Sequence, residues 1–266
     1  MSLGLELWLA GWLLAAAVML GLWLLQLRTR DATLVDVGWT VNLGLLAAFY
    51  AVSADGAPQR RWLVAVLVGA WSVRLALHLL RSRVLAPGQG EDKRYAALRE
   101  RWGERAAHNF FWLYQAQALL DALLSLPFLL SCLDPQSRLG PAALLAALLL
   151  GISIAGEWTA DRQLLRFKAD PTSRGRTCRA GLWRYSRHPN YFFEWLAWCA
   201  FALLALPSPL GWLGLSAPLL MLFLLLRVTG LPPAEEQALR SRGDDYRAYQ
   251  RSTSAFFPWF QKEGPA

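Results

Sequence analysis

The chain has 266 residues, 55% hydrophobic and only 17% charged, with a mean hydropathy of +0.28 and a formal net charge of +8. A soluble domain of this length carries about a quarter charged residues and shorter apolar runs, so the composition excludes an ordinary soluble enzyme. The excess positive charge lies in a few loops between apolar blocks, where membrane orientation accounts for it without a nucleic-acid partner.

An apolar block of about 20 residues crosses a bilayer. In chain order the sequence predicts about seven: Leu3–Leu27, Leu34–Ala54, Trp62–Leu80, Phe110–Leu130, Pro141–Asp161, Tyr191–Leu206 and Leu210–Val228. The first has no basic segment before it and is too long for the core of a cleavable signal, so it reads as a true span. Pro207-Ser208-Pro209 between the last two predicts a tight helical hairpin.

The loops after the first, third and fifth spans are basic, as is the C-terminal tail, whereas those after the fourth and sixth carry little or no positive charge; the short loop after the second, with Arg60 and Arg61, is the exception. That alternation places the N-terminus outside and the C-terminus in the cytosol, which requires an odd number of spans. The expected fold class is therefore an all-α polytopic membrane protein, a single integral domain over residues 1–266. The Leu/Ala/Arg-rich composition points to a bacterial inner membrane. No obligate protein partner is indicated.

Cys132, Cys178 and Cys199 form no paired spacing, and His78, His108 and His188 stand far apart. Neither a disulfide framework, a zinc site nor a di-iron centre is expected from so few scattered ligands.

Polar groups inside spans are costly and are functional candidates by default. Those here are Asp36, Asn42, Arg74, His78, Gln115, Gln117, Asp121 and Glu194. The competing reading pairs them across the bundle, with Arg74 facing Asp36 or Asp121, and for Arg74 that structural reading is favoured. At the end of the fifth span, Glu157, Asp161 and Lys168 fall at i, i+4 and i+11, on one helical face. Two acids and a base so placed suit ribose hydroxyls, an amide and a phosphate, but a charged stripe at a helix end has the same spacing.

The densest signal is the run Arg179 to Glu194, which holds Arg184, Tyr185, Arg187, His188, Pro189, Asn190 and Tyr191. Pro189 suits the first turn of a helix, so Arg187 and His188 sit at its N-terminus, against the macrodipole. An anion between them and the free amides relieves that conflict, and we favour this reading over orientation bias alone. Beyond the last span, Ala234 to Arg251 reads as a polar cytosolic helix, and Phe256-Phe257-Pro258-Trp259-Phe260 as an interfacial anchor.

The Arg-His-Pro-Asn-Tyr segment with Glu194 and Trp198 resembles the C-terminal cofactor region of membrane steroid 5-alpha-reductases and their uncharacterised bacterial relatives of the DUF1295 type. The Glu157/Asp161/Lys168 helix and the tail from Asp244-Asp245-Tyr246 through Tyr249 share the resemblance, which runs from Asp36-Val-Gly-Trp39 to Phe260. It implies a fold of seven transmembrane helices with NADPH in a cytosol-facing cavity, the cofactor half covering approximately residues 150–260. It implies that Glu157, Asp161, Lys168, Arg179, Asn190, Tyr191, Glu194 and Trp198 hold the cofactor, and we expect Arg184, Tyr185, Arg187, His188, Glu235, Tyr246 and Tyr249 to join that site. It further implies hydride delivery to a conjugated ketone of a hydrophobic small molecule, with an acid and a tyrosine polarising the carbonyl. Asp36 stands near the family's acid, whereas Trp71 occupies the tyrosine's place, leaving Tyr114 or Tyr50 as substitutes. Glu235 stands where the steroid enzymes have a histidine.

The same motif, with the Glu-Glu pair and Tyr-Arg-x-Tyr tail, is also similar to isoprenylcysteine carboxyl and phospholipid methyltransferases, which bind S-adenosylmethionine. The span count and the α-helical acid-acid-base face favour the reductase. A transporter would carry its polar groups near mid-membrane, and here they crowd toward the cytosolic ends.

Overall fold

The computed structural model describes residues 3–85 and 90–261, and helix is the only regular structure among them. Five helices are long and apolar enough to cross a membrane, six if the bent pair Lys93–Leu124 and Leu126–Cys132 counts as one span. The chain is thus an all-α polytopic membrane protein. It divides into two compact units, residues 1–140 with 204–214, and residues 141–203 with 215–266.

The first unit contains α1 (Leu3–Thr29), α2 (Leu34–Ser53), α3 (Pro58–Leu79), α4 (Lys93–Trp102), α5 (Ala106–Leu124) and α6 (Leu126–Cys132). Its core is aromatic and aliphatic, with Leu43, Leu46, Tyr50, Trp71, Phe110, Tyr114 and Phe128 almost wholly buried. The expected fourth span is not one straight helix. It breaks by 40° between Leu124 and Leu126, just ahead of Pro127, whose ring cannot continue the preceding turn.

Two of the intramembrane polar residues are partners. Asn42 donates to Asp121 Oδ2 at 3.0 Å and to the Ala15 carbonyl at 3.2 Å, tying α2 to α5 and α1. Elsewhere in this unit, Arg60 meets Asp134 at 3.2 Å, with both side chains buried, and Ser208 donates to the same carboxylate at 3.0 Å. That clasp holds the turn after α6 against the start of α3 and the turn at Pro207–Pro209.

The second unit contains α7 (Pro141–Ala169), most of α8 (Pro189–Ala205), α9 (Ser216–Phe223) and α10 (Leu231–Ser252). Here α7 continues past its apolar stretch, so Glu157, Asp161 and Lys168 lie on one unbroken helix. The expected sixth span is shorter than the others. With 17 residues, α8 covers about 25 Å against a hydrocarbon core of about 30 Å, and a turn at Ser208 ends it. The polar helix α10 is kinked at Gly243, whose φ of +51° is a left-handed conformation that favours glycine.

Candidate functional site

In the second unit the polar end of α7 packs on the start of α8. Gly156 permits the approach, since a Cβ there would stand 2.3 Å from the Phe193 ring. Ser153 donates to the Phe193 carbonyl at 2.5 Å. Toward the C-terminal end of α7 the seam becomes polar. Asn190 donates to Asp161 Oδ1 at 3.4 Å, and the Trp198 indole donates to Glu194 Oε1 at 3.0 Å. Glu157, Asp161 and Glu194 are 5%, 7% and 8% exposed, so three carboxylates are sunk into one seam beside an amide. Carboxylates only accept hydrogen bonds, so such a seam suits a ligand rich in hydroxyl and amine hydrogens.

The segment between the two helices is fastened to α7 from below. Trp183 donates its indole N–H to the Ala160 carbonyl at 2.9 Å, and Gln163 Oε1 accepts from the Leu182 amide at 2.9 Å. Arg184 and Tyr185 are exposed, with Tyr185 edge-on to Phe260 at 6.2 Å, and Lys168 is exposed on the last turn of α7.

The counter-charge for Arg187, and a partner for His188, come from the chain itself. Glu235 Oε1 accepts from Arg187 Nε at 2.7 Å, faces His188 Nε2 at 3.3 Å and accepts from Tyr246 at 3.3 Å, while Oε2 accepts from Gln250 at 3.0 Å. Burial by itself would raise the Glu235 carboxyl, but the bonds from His188 and Arg187 and the arginine's charge outweigh it and hold it at about 2. Arg187 also reaches the carbonyls of Gln250 and Thr253 at 3.1 and 2.7 Å, a cation on the last turn of α10, where the macrodipole favours it. The sequence signals an anion for this pair, and only the packing of α10 identifies it as Glu235. Arg179 is likewise met from α10, by Asp245 at 2.8 Å, with its guanidinium over the Tyr249 ring. Tyr249 places its hydroxyl between the carbonyls of Trp183 and Ser186.

In the first unit Asp36 sits in the first turn of α2 and accepts from Arg83, from Arg94 at 2.6 Å and from the Tyr95 hydroxyl at 2.6 Å. The phenol on Asp36 is therefore Tyr95, on α4. Tyr114, on α5, is a buried ring edge-on to Phe110 at 6.5 Å, and Tyr50 bonds Ser125 at 3.2 Å. Sequence reasoning passed over Tyr95 because it lies in a basic loop, outside every predicted span. Glu91 and Asp92 bring α4 back over the start of α2, accepting from the Ala32 amide and bonding Thr33, each at 2.8 Å. The available signal is Asp92, an N-cap residue two positions before Arg94, which marks a helix start beside that tyrosine.

A family model described as "Protein of unknown function (DUF1295)" matches residues 22–253. The chain belongs to this family. The match takes in both the α7–α8 seam and the Asp36 cluster of this DUF1295 protein. The chain is also similar to the uncharacterized protein C594.04c of Schizosaccharomyces pombe, with 28% identity over 89% of this chain and 75% of that one. No solved structure matches it.

Proposed function

We propose that this DUF1295 membrane protein is an NADPH-dependent reductase that adds hydride to a C=C bond of a lipid-like or steroid-like enone, on the cytosolic side of a bacterial inner membrane. The observation that carries the reading is the seam of buried Glu157, Asp161 and Glu194 beside half-buried Asn190, where α7 meets α8. A dinucleotide presents ribose hydroxyls and amide hydrogens, which carboxylate and amide oxygens accept. Exposed Lys168 and Arg184 are suited to its phosphates. When bound, NADPH supplies the hydride. The chain's part is to orient the dinucleotide with the seam, and the bilayer delivers an apolar substrate.

One observation favours a second reading, an S-adenosylmethionine-dependent methyltransferase of the isoprenylcysteine carboxyl or phospholipid type. Arg179 and Arg187 are engaged by Asp245 and Glu235, which reduces the cationic groups directed at a polyphosphate. The remaining acids would suit a sulfonium cation and an adenosine.

The deciding measurement is thermal stabilisation of the detergent-purified protein by NADPH, NADH and S-adenosylmethionine. A ligand at about 100 times its dissociation constant adds about 2.7 kcal/mol. We expect stabilisation by NADPH, lost in Asn190→Ala and Glu194→Ala variants that remain folded. Stabilisation by S-adenosylmethionine alone selects the methyltransferase, and no response to any of them removes both.

A further inference from the structure

His188 immediately precedes Pro189, which opens α8, and is only 6% exposed. Its ring is nearly parallel to that of Tyr191, with centroids 5.4 Å apart and an interplanar angle of 5°. One ring nitrogen, Nε2, faces Glu235 Oε1 at 3.3 Å. That same oxygen already accepts from Arg187 at 2.7 Å and from Tyr246 at 3.3 Å, so it acts as an acceptor toward everything around it. A neutral imidazole carries one hydrogen, and the nitrogen facing a carboxylate is the one that holds it. The other nitrogen is then a lone-pair acceptor.

We propose that Glu235 is a positioning residue that fixes His188 as the Nε2–H tautomer, so that Nδ1 accepts a hydrogen bond from an N–H donor of the bound cofactor at the start of α8. This rests on the reading of the α7–α8 end as a cofactor site. It adds what the acids of the seam do not provide, a neutral acceptor that leaves the net charge of the site unchanged. The donor is an amide or amino N–H, which NADPH carries both on its nicotinamide carboxamide and on its adenine. The stack on Tyr191 holds the ring plane, and the Glu235 contact fixes which edge is which. The arrangement follows the pattern in which a carboxylate behind a histidine decides its tautomer and orientation.

The charged and titratable groups around the ring are Glu235, Arg187, Tyr246 and the stacked Tyr191. Gln250 donates to the second oxygen of Glu235, so a glutamine at 235 can keep its carbonyl toward His188 and turn its amide toward Gln250, whose own amide flips to present its oxygen. Alanine cannot.

The test uses the full chain in detergent, labelled with 15N-histidine. With only His78, His108 and His188 present, single substitutions assign the signals. The His188 shifts should report the Nε2–H tautomer in the wild type and in Glu235→Gln, and lose that preference in Glu235→Ala. An Nδ1–H ring in the wild type overturns the proposal. NADPH affinity supplies the second readout. His188→Asn puts an amide oxygen near the Nδ1 position and should bind within a few-fold of wild type. His188→Gln reaches toward Glu235 but leaves Nδ1 unreplaced, and should bind about tenfold more weakly. The opposite order overturns the proposal. The 3-acetylpyridine analogue of NADPH, which lacks the carboxamide N–H, separates the two donors. If the Asn-to-Gln difference vanishes with it, the donor is the carboxamide, and if it persists, the donor is the adenine amine. If the wild type binds no NADPH at all, the ligand half falls with the parent reading, while the spectrum still decides the role of Glu235.

Discussion

The Tyr95 hydroxyl donates to Asp36 Oδ1 at 2.6 Å and joins α4 to the first turn of α2. Fifty-nine residues separate the two, and the bond exists because Glu91 and Asp92 return the chain to the α2 entrance at Ala32 and Thr33.

Replacing Tyr95 with Phe removes that bond and leaves Asp36 to Arg83 and Arg94. The expected loss is about 1 kcal/mol of stability. It should appear as faster amide exchange over residues 93–102, since α4 then holds to α2 by fewer bonds. Tyr114→Phe keeps the buried ring and should leave that exchange unchanged. Equal effects of the two substitutions would show that Tyr95 does not fasten α4.

Glu235 gives the second unit a pH dependence of definite sign. Its carboxyl is held at about 2 when folded, against an ordinary value of 4.5. A depressed carboxyl contributes stability that is complete above the unfolded value and is lost as pH falls through the folded one. The contribution is on the order of 3 kcal/mol. Thermal stability should therefore fall between about pH 4.5 and pH 2, and Glu235→Gln should flatten that part of the profile. An unchanged acid limb in the variant would mean that other carboxylates govern it.

Asn42 and Asp121 test what a buried polar pair is worth inside a membrane bundle. Asn42→Ala strands the Asp121 carboxyl, which is 0% exposed, and should cost about 2–3 kcal/mol in detergent unfolding. Replacing both with leucine removes the need for a partner and should cost less than the single change. A double variant as unstable as the sum of its singles would show that the two side chains do not act together.

Much of this molecule is legible in one dimension because a bilayer imposes a one-dimensional rule. The first three spans, the fifth and the last coincide with apolar helices, since each satisfies its backbone hydrogen bonds internally and needs only length and hydrophobicity to be recognised. The break ahead of Pro127 follows from a residue visible in the sequence, yet the run Phe110 to Leu130 reads as continuous because its hydropathy does not change across the break. The spacing of Glu157 and Asp161 places both on one face of α7, and the periodicity of a single helix is enough to establish that.

Sequence alone determined the membrane class, the approximate spans, and the concentration of polar chemistry between residues 157 and 198. Tertiary structure alone decided the partners. Asn42 meets Asp121, Tyr95 rather than Tyr114 meets Asp36, and Glu235 is the anion beside Arg187 and His188. The physical reason is range. Hydropathy and helical period act over neighbouring residues, whereas a hydrogen bond needs two atoms within about 3 Å, and loops decide which distant residues come that close.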